Sequence, residues 1–569
     1  MIRPPAGRIV TLFVVLSLAL GGVVLRLGWL QFRDADAYAA RGLEQRVKTV
    51  VLPADRGRIL DRTGSPLAIS LDAQDVYADP TLVVDPVAEA AVLAPVLELE
   101  APRVQESLEA DGTFAWIARQ VDLETTQQVA DLHLAGIGFL PSTRRDYPAG
   151  SIAAQILGFV GIDGHGLSGL ERQYEQELAG RPGGRRVETS PRGQEIPGSA
   201  QILLPPVTGG DLVTTIDREI QYRAEAALAR AVKANGAKGG TIIVMDPRTG
   251  DVFAMASYPS FDPNRFTDFD SERFRNRAVT DIWEPGSVNK VITAAAAIET
   301  GIVDLGERFR VPATRRVQGF TIHDSHPHPI ERLTLGDIIA QSSNIGASLV
   351  GDRVGSANLV QFFARFGYGR PTGIGFPGEA GGVVPTLDEW TAVTRATVSF
   401  GQGVSVTPLQ MASVYATVAN GGEWVRPRLV RGWRDPEGRF VPAPSSGTRR
   451  AIRPETADLL TRMLAFVVQD GTGENARIPG YQVAGKTGTA KKLDRRGEYT
   501  DRYVASFIGF LPASDPRVVV AAIIDEPDTI YGGVAAAPAF REVAQYAIQR
   551  LGIAPAPPVP QPPHGRPSR

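Results

Sequence analysis

Glu284-Pro285-Gly286-Ser287-Val288-Asn289-Lys290 is the stretch on which the reading of this 569-residue chain turns. It opens an alanine-rich helical pattern over residues 288–298, and on a helix residues three apart share a face about 5–6 Å apart at Cβ. Lys290 therefore reaches the hydroxyl of Ser287. The plain alternative makes Ser287 a helix N-cap, and a serine three residues before a lysine arises about once by chance in a chain this long. Lysine usage gives the pair its weight. The chain has seven lysines, at 48, 233, 238, 290, 486, 491 and 492, and arginine carries nearly all its other positive charge. Arginine cannot release its proton in a protein, whereas a buried lysine can be made neutral. Serine is a weak nucleophile until a neighbouring base accepts its proton, so Lys290 is a candidate base for Ser287.

Two further stretches lie downstream, Ser342-Ser343-Asn344 and Lys486-Thr487-Gly488-Thr489. Lys486 offers a second cation that would depress the pKa of Lys290 if both are buried. Ser342 is placed to pass a proton to a leaving amine, and Asn344 offers an amide to the lysine or to a substrate carbonyl. Gly485 and Gly488 would let a peptide approach along an edge strand, flanking Lys486 and Thr487. Thr489 has a hydroxyl for a carboxylate and an N–H for an oxyanion.

The length allows two to four domains. Charged content of 21% and a formal net charge of -2 give no basic excess to recruit nucleic acid. Zero cysteines exclude disulfides and thiolate metal sites. Residues 9–25 form an uncharged, mostly apolar run after Arg3 and Arg8, and 27–32 is largely apolar too. With Arg26 snorkelling, the run reaches the roughly 20 residues of a spanning helix. An uncleaved signal-anchor is expected rather than a cleaved signal peptide, because Ser17-Leu18-Ala19 would cut the apolar run in half.

Residues 34–206 alternate short apolar stretches with Gly and Pro. Asp61 to Gly64 reads as a turn between strands, 86–99 and 123–134 as helices, and 180–206 as irregular or hairpin structure. A second region opens with a strand at 211–216 and a helix from Asp217 to about 235. Residues 240–245 and 251–256 read as a β-hairpin, 503–511 and 517–525 as two more strands. A closing helix at 538–551 precedes a Pro-rich tail from Pro555 expected to be disordered. Strands at both ends of a long helical middle predict an antiparallel sheet assembled from distant segments, an α+β arrangement.

The ordered set Ser-x-x-Lys, Ser-x-Asn and Lys-Thr-Gly resembles the motifs of penicillin-binding proteins and serine β-lactamases. The 56–68 stretch (Arg-Gly-Arg-Ile-x-Asp-Arg-x-Gly-x-x-Leu-Ala), Tyr147-Pro148-Ala149-Gly150 and 158–171 (ending Gly169-Leu170-Glu171) are similar to pedestal motifs of class B enzymes. Thr214-Thr-Ile-Asp217 with Gln221, Gly401-Gln-Gly403 with Thr407-Pro-Leu-Gln410, and 503–509 resemble their transpeptidase domain. Within class B, Glu284-Pro-Gly-Ser287 and Ser342-Ser-Asn344 look like the division-specific, FtsI-type enzymes, since elongation-type relatives usually show Ser-x-Asp.

The resemblance implies an α+β fold with one N-terminal transmembrane helix (1–33), an elongated pedestal (34–206), a transpeptidase domain (207–552) and the tail (553–569). It implies a peptidoglycan D,D-transpeptidase that cross-links stem peptides through a Ser287 acyl-enzyme and is acylated by β-lactams. Ser287, Lys290, Ser342, Asn344 and Lys486 would be catalytic, and Thr487, Gly488 and Thr489 would bind substrate. No cofactor, metal or nucleic acid is implied. Implied partners are a SEDS-family glycosyltransferase and other division proteins, and the implied place is the cell (inner) membrane, with the N-terminus cytoplasmic and the catalytic domain outside.

Alternatives are an elongation-type enzyme, a hydrolytic D,D-carboxypeptidase or β-lactamase, and a penicillin-binding sensor or scaffold. His323-Asp324-Ser-His326-Pro-His328 contains zinc-type donors, but its two prolines favour a stiff structural loop.

Overall fold

The computed structural model describes residues 6–33, 46–189, 196, 198–494 and 496–561. Helix Ala6–Phe32 contains a 26-residue stretch, Gly7–Phe32, of mean hydropathy 2.3, long and apolar enough to cross a membrane. The chain divides into two compact units, Met1–Asp55 with Gly180–Thr208, and Arg56–Ala179 with Gly209–Arg569. In the first, Val47–Leu52 pairs antiparallel with Gly183–Glu188, which pairs in turn with Gln201–Leu204. The hairpin alternative for 180–206 is thus the one adopted; residues 190–195, like 34–45 at the start of the expected pedestal, lie outside the described residues.

The second unit cuts the expected 34–206 region, and backbone pairing is the reason. Ile59–Leu60 runs parallel to Asp211–Thr214, with Ile59 opposite Leu212. One sheet therefore continues from 211–214 through Ile59–Leu60 to Pro66–Ala78, which pairs with both Ala115–Asp122 and Ile137–Asp146. Asp61 makes the turn, accepting from the Thr63 and Ser65 amides. Two of the pedestal stretches, 56–68 and 158–171, meet in a buried ion cluster. Glu171, fully buried, accepts from Arg56 Nε at 2.6 Å and Arg145 Nε at 2.7 Å. A buried carboxylate persists only with such partners.

The second sheet positions the site. Helix α1 (Arg218–Ala234) precedes strands β1 (Gly239–Met245) and β2 (Val252–Tyr258). Then come helices α2 (Lys290–Glu299), α3 (Leu335–Gln341), α4 (Asn344–Val354) and α5 (Pro454–Asp470). Strands β3 (Ala484–Leu493), β4 (Tyr499–Leu511) and β5 (Val518–Asp525) and helix α6 (Ala537–Leu551) complete it. The sheet order is β2-β1-β5-β4-β3, all antiparallel, so strands from both ends of the domain interleave and β3 is an edge.

Alternation assigns the faces. Val519, Ala521 and Ile523 of β5 face the core that holds α2; Val518, Val520, Ala522 and Ile524 face the core that holds α1 and α6. Asp217 caps α1 by accepting from the Glu219 and Ile220 amides, and Ile220, Ala224, Leu228 and Val232 form its buried stripe. Helix α2 is buried from Lys290 through Ala297, and its small alanines let it run through the middle of the domain.

The Pro-rich segment departs from expectation. Ile553 is buried, its carbonyl accepts from Tyr481 Oη at 2.6 Å, and the Val559 amide donates to Gln482 Oε1 at 2.6 Å. An extended proline-rich chain leaves its carbonyls free for side-chain donors, which is how residues 553–559 are held. Residues 562–569 lie outside the described residues.

Candidate active site

Residues 286–289 form a 3-10 turn that leads into α2, with Pro285 rather than Ser287 at the N-cap position. The N-cap reading of Ser287 is therefore replaced by a tighter geometry. In a 3-10 turn positions i and i+3 eclipse, which stands Lys290 above Ser287 with Nζ 2.9 Å from Oγ. Gly286, at φ 56°, lets the turn tuck beneath β3, where a Cβ would come within 2.9 Å of the Thr489 carbonyl.

Lys290 is 0% exposed. Its Nζ lies 2.5 Å from Ser342 O, 3.2 Å from Ser342 Oγ and 2.8 Å from Asn344 Oδ1. Ser342 closes α3 in a left-handed conformation, φ 63° and ψ 34°. Such backbone is costly for a non-glycine residue and clusters at functional sites; here it turns the carbonyl onto the lysine. The Asn344 amide is oriented without ambiguity, because Nδ2 donates to the His323 carbonyl at 3.0 Å and leaves Oδ1 for Lys290.

Lys486 is also 0% exposed, with only weak contacts to Thr487 O at 3.3 Å and Oγ1 at 3.4 Å. Burial pushes it from 10.5 to about 7. Burial, then the charge of Lys486, holds Lys290 well below the ordinary lysine value, against a smaller opposing pull from Asp324. As a neutral amine, Lys290 donates two N–H groups to Ser342 O and Asn344 Oδ1. Its lone pair is then left facing the Ser287 hydroxyl.

Strand β3 carries Lys486 to Thr489 along the open sheet edge. Gly488 is there for close packing: a Cβ would stand 2.3 Å from Ser506 Oγ and 3.1 Å from Val288 Cγ1. Thr487 bonds Thr472 through their hydroxyls at 2.7 Å, while the Thr489 hydroxyl donates to Ile530 O at 3.1 Å. The hydroxyl expected to take a carboxylate thus has a backbone partner from which a substrate would draw it. Ser287, Ser342, Asn344, Thr487 and Thr489 line one cleft of about 470 Å³, and the buried Lys290 bonds three of these residues, Ser287, Ser342 and Asn344. A larger hollow of about 830 Å³ lies under the C-terminal segment, beside Tyr481 and Pro558, and contains none of these residues.

Several residues take roles the sequence reading did not assign them. Glu284 accepts from the Gly403 amide at 2.7 Å and Tyr499 Oη at 2.9 Å, tying the Ser287 loop to the 401–403 turn and to the start of β4. Tyr531 and His326 flank the cleft mouth, their ring centroids 6.3 Å apart. Asp324, weighed above as a zinc ligand, caps α4 instead. Its only signal was its place in the histidine loop, since the cap spans about twenty residues and no short spacing rule reports it. Among the described residues no three His, Cys, Asp or Glu side chains converge on a metal position.

Comparisons with known proteins fit this geometry. Residues 240–545 match the penicillin binding protein transpeptidase domain, and residues 51–214 the penicillin-binding protein dimerisation domain. The chain is 34% identical to the probable peptidoglycan D,D-transpeptidase PbpC of Pseudomonas aeruginosa, over 96% of this chain and 95% of that protein. It is 32% identical to the peptidoglycan D,D-transpeptidase FtsI of Escherichia coli, covering 95% and 91%. Penicillin binding protein 3 of Mycobacterium tuberculosis, solved with aztreonam, superimposes with a TM-score of 0.71 at 31% identity, over 90% of this chain and all of that one. With its Ser-x-x-Lys turn, its paired lysines and both domain types in family order, the chain belongs to the class B penicillin-binding proteins.

Proposed function

We propose that Ser287 is the acylated nucleophile of a peptidoglycan D,D-transpeptidase of the FtsI type, with Lys290 as its base. The carrying observation is Lys290 Nζ, buried and 2.9 Å from Ser287 Oγ, with its other three contacts to Ser342 O, Ser342 Oγ and Asn344 Oδ1. In the first half-reaction Ser287 Oγ attacks the carbonyl between the two terminal D-alanines of a stem peptide, and Lys290 takes the hydroxyl proton. The N–H groups of Ser287 and Thr489 receive the oxyanion; one such donor is typically worth about 10²–10³ in rate. The C–N bond then breaks, and the proton passes through the Ser342 hydroxyl to the amine of the departing D-alanine. In the second half-reaction an amine of a neighbouring stem attacks the ester and loses its proton to Lys290. Ser287 leaves with a proton, and a new amide remains as the cross-link. β-Lactams present a strained amide to the same serine and stop at the acyl-enzyme.

Edge strand β3 supports substrate binding by strand addition, with Thr487, Gly488 and Thr489 along the peptide. The apolar helix Ala6–Phe32 supports an anchor in the cell membrane, with the N-terminus cytoplasmic and the catalytic domain outside. In this reading the anchor and the 34–206 pedestal engage a SEDS-family glycosyltransferase and other division proteins in septal wall synthesis. The test is covalent labelling by a fluorescent penicillin. Ser287→Ala abolishes it; Lys290→Arg keeps charge but removes basicity and slows it by about 10²–10⁴. Labelling that persists at another residue in Ser287→Ala removes Ser287 from the role.

A further inference from the structure

The loop of residues 322–329 holds an ion pair that none of the family motifs contains. The Asp324 side chain is 8% exposed and accepts four hydrogen bonds. Oδ1 takes the backbone amides of Asn344 and, at 3.0 Å, Ile345. Oδ2 takes the Ser343 hydroxyl at 2.6 Å and His328 Nε2 at 3.0 Å. His328 Nδ1 lies 2.7 Å from the Pro329 carbonyl. Both ring nitrogens therefore face acceptors. A neutral imidazole has one N–H and would leave one contact between two acceptors, whereas imidazolium donates at both. Burial opposes that charge, but the Pro329 carbonyl and Asp324 outweigh it and raise the His328 pKa.

What this ion pair holds is the second motif. Ser343 and Asn344 are fastened at a hydroxyl and an amide by one carboxylate, and Asn344 Nδ2 is fastened by His323 O. Ser342, one residue earlier, and Asn344 are the two acceptor residues of Lys290. The charge of Asp324 also acts on Lys290 in the opposite sense to that of Lys486. The groups bearing on Lys290 are thus Lys486 on β3 and Asp324 on the loop, with His328 and then Glu331 behind Asp324.

We propose that Asp324, clamped by His328, is the positioning carboxylate of this site: it fixes Ser342 to Asn344 against Lys290 and balances the charge of Lys486. The inference rests on the Ser287–Lys290 reading above.

The test is the rate of acylation of the detergent-solubilised full chain by a fluorescent penicillin, from about pH 5.5 to 9.5, with the labelled residue mapped. Asp324→Asn is expected to slow the plateau at least about tenfold, the loss of one charge-assisted bond. It is also expected to move the acid limb to lower pH, because a neutral amide no longer favours protonated Lys290. A merely structural role would lower the plateau without moving the limb, so an unmoved limb overturns the proposal. His328→Gln retains an N–H toward Asp324 and should stay within about threefold of the parent, while His328→Ala falls at least about tenfold. Equal rates for these two overturn the clamp, and they carry the test if Asp324→Asn does not fold. Label found elsewhere than Ser287 in the parent chain overturns the underlying reading; label on Ser287 with an unmoved limb overturns Asp324 alone.

Discussion

Glu225 on α1 is a carboxyl whose burial should make the catalytic unit less stable as pH rises. Its Oε1 accepts the Ala153 amide at 2.9 Å and Gln221 Nε2 at 2.7 Å. Burial outweighs both bonds and pushes the carboxyl from 4.5 up to about 7. Between pH 4.5 and 7 the folded chain holds a proton that the unfolded chain has lost, so stability falls through that window and the full cost remains above it. At 1.36 kcal/mol per pH unit, the ceiling is about 3 kcal/mol. Glu225→Gln removes the ionisation while leaving an amide oxygen able to accept both bonds. Its thermal midpoint should match the parent near pH 4.5 and exceed it at pH 8, by about 3–6 °C for a unit of this size. Melting of detergent-solubilised protein across that range reads the difference. Parallel curves for the two chains refute the argument, and so does a variant less stable at pH 8.

Two further outcomes test the site itself. Lys486→Met removes the cation that holds Lys290 down; the acid limb of penicillin acylation should move to higher pH, opposite to Asp324→Asn, and a limb that stays put refutes the charge coupling. Gly488→Ala forces a methyl to within 2.3 Å of Ser506 Oγ and should slow acylation at least about tenfold, as a displacement of a positioned group does. Ser506 Oγ is buried without a hydrogen-bond partner among the described residues, so adding Ser506→Ala removes the obstacle at little cost. The next contact of the new methyl is then 3.1 Å, and the double variant should recover most of the rate.

Legibility followed the range of each interaction. The α1 stripe, its Asp217 cap and the β1–β2 hairpin depend on neighbours within a few residues, and each formed near its expected place. The three motifs were legible as residue types, and the structure brings Ser287, Lys290, Ser342 and Asn344 within hydrogen-bond reach. What the sequence hid was set by distant partners. Asp324 acts on backbone amides of another element, the parallel pairing of Ile59–Leu60 with Asp211–Thr214 joins two regions read as separate, and Gln482 pins a tail whose composition alone signals disorder. The 3-10 turn at Ser287 was hidden for another reason: helical periodicity does not distinguish it from a first α-turn over four residues.

The sheet order has a consequence for how the molecule comes into being. Strand β1 pairs with β5, nearly half the chain away, and β4 and β3 follow outward from β5. The helices holding Ser287 and Ser342 therefore emerge long before the strand that bears Lys486 can find its place. Pairing over such a loop is slow, and a chain made in N-to-C order exposes an apolar β1–β2 hairpin throughout the wait. The cleft that joins Ser287 to Lys486 is thus incomplete until nearly the whole polypeptide has been made, and chaperones that guard the half-made sheet would govern how much enzyme a dividing cell obtains.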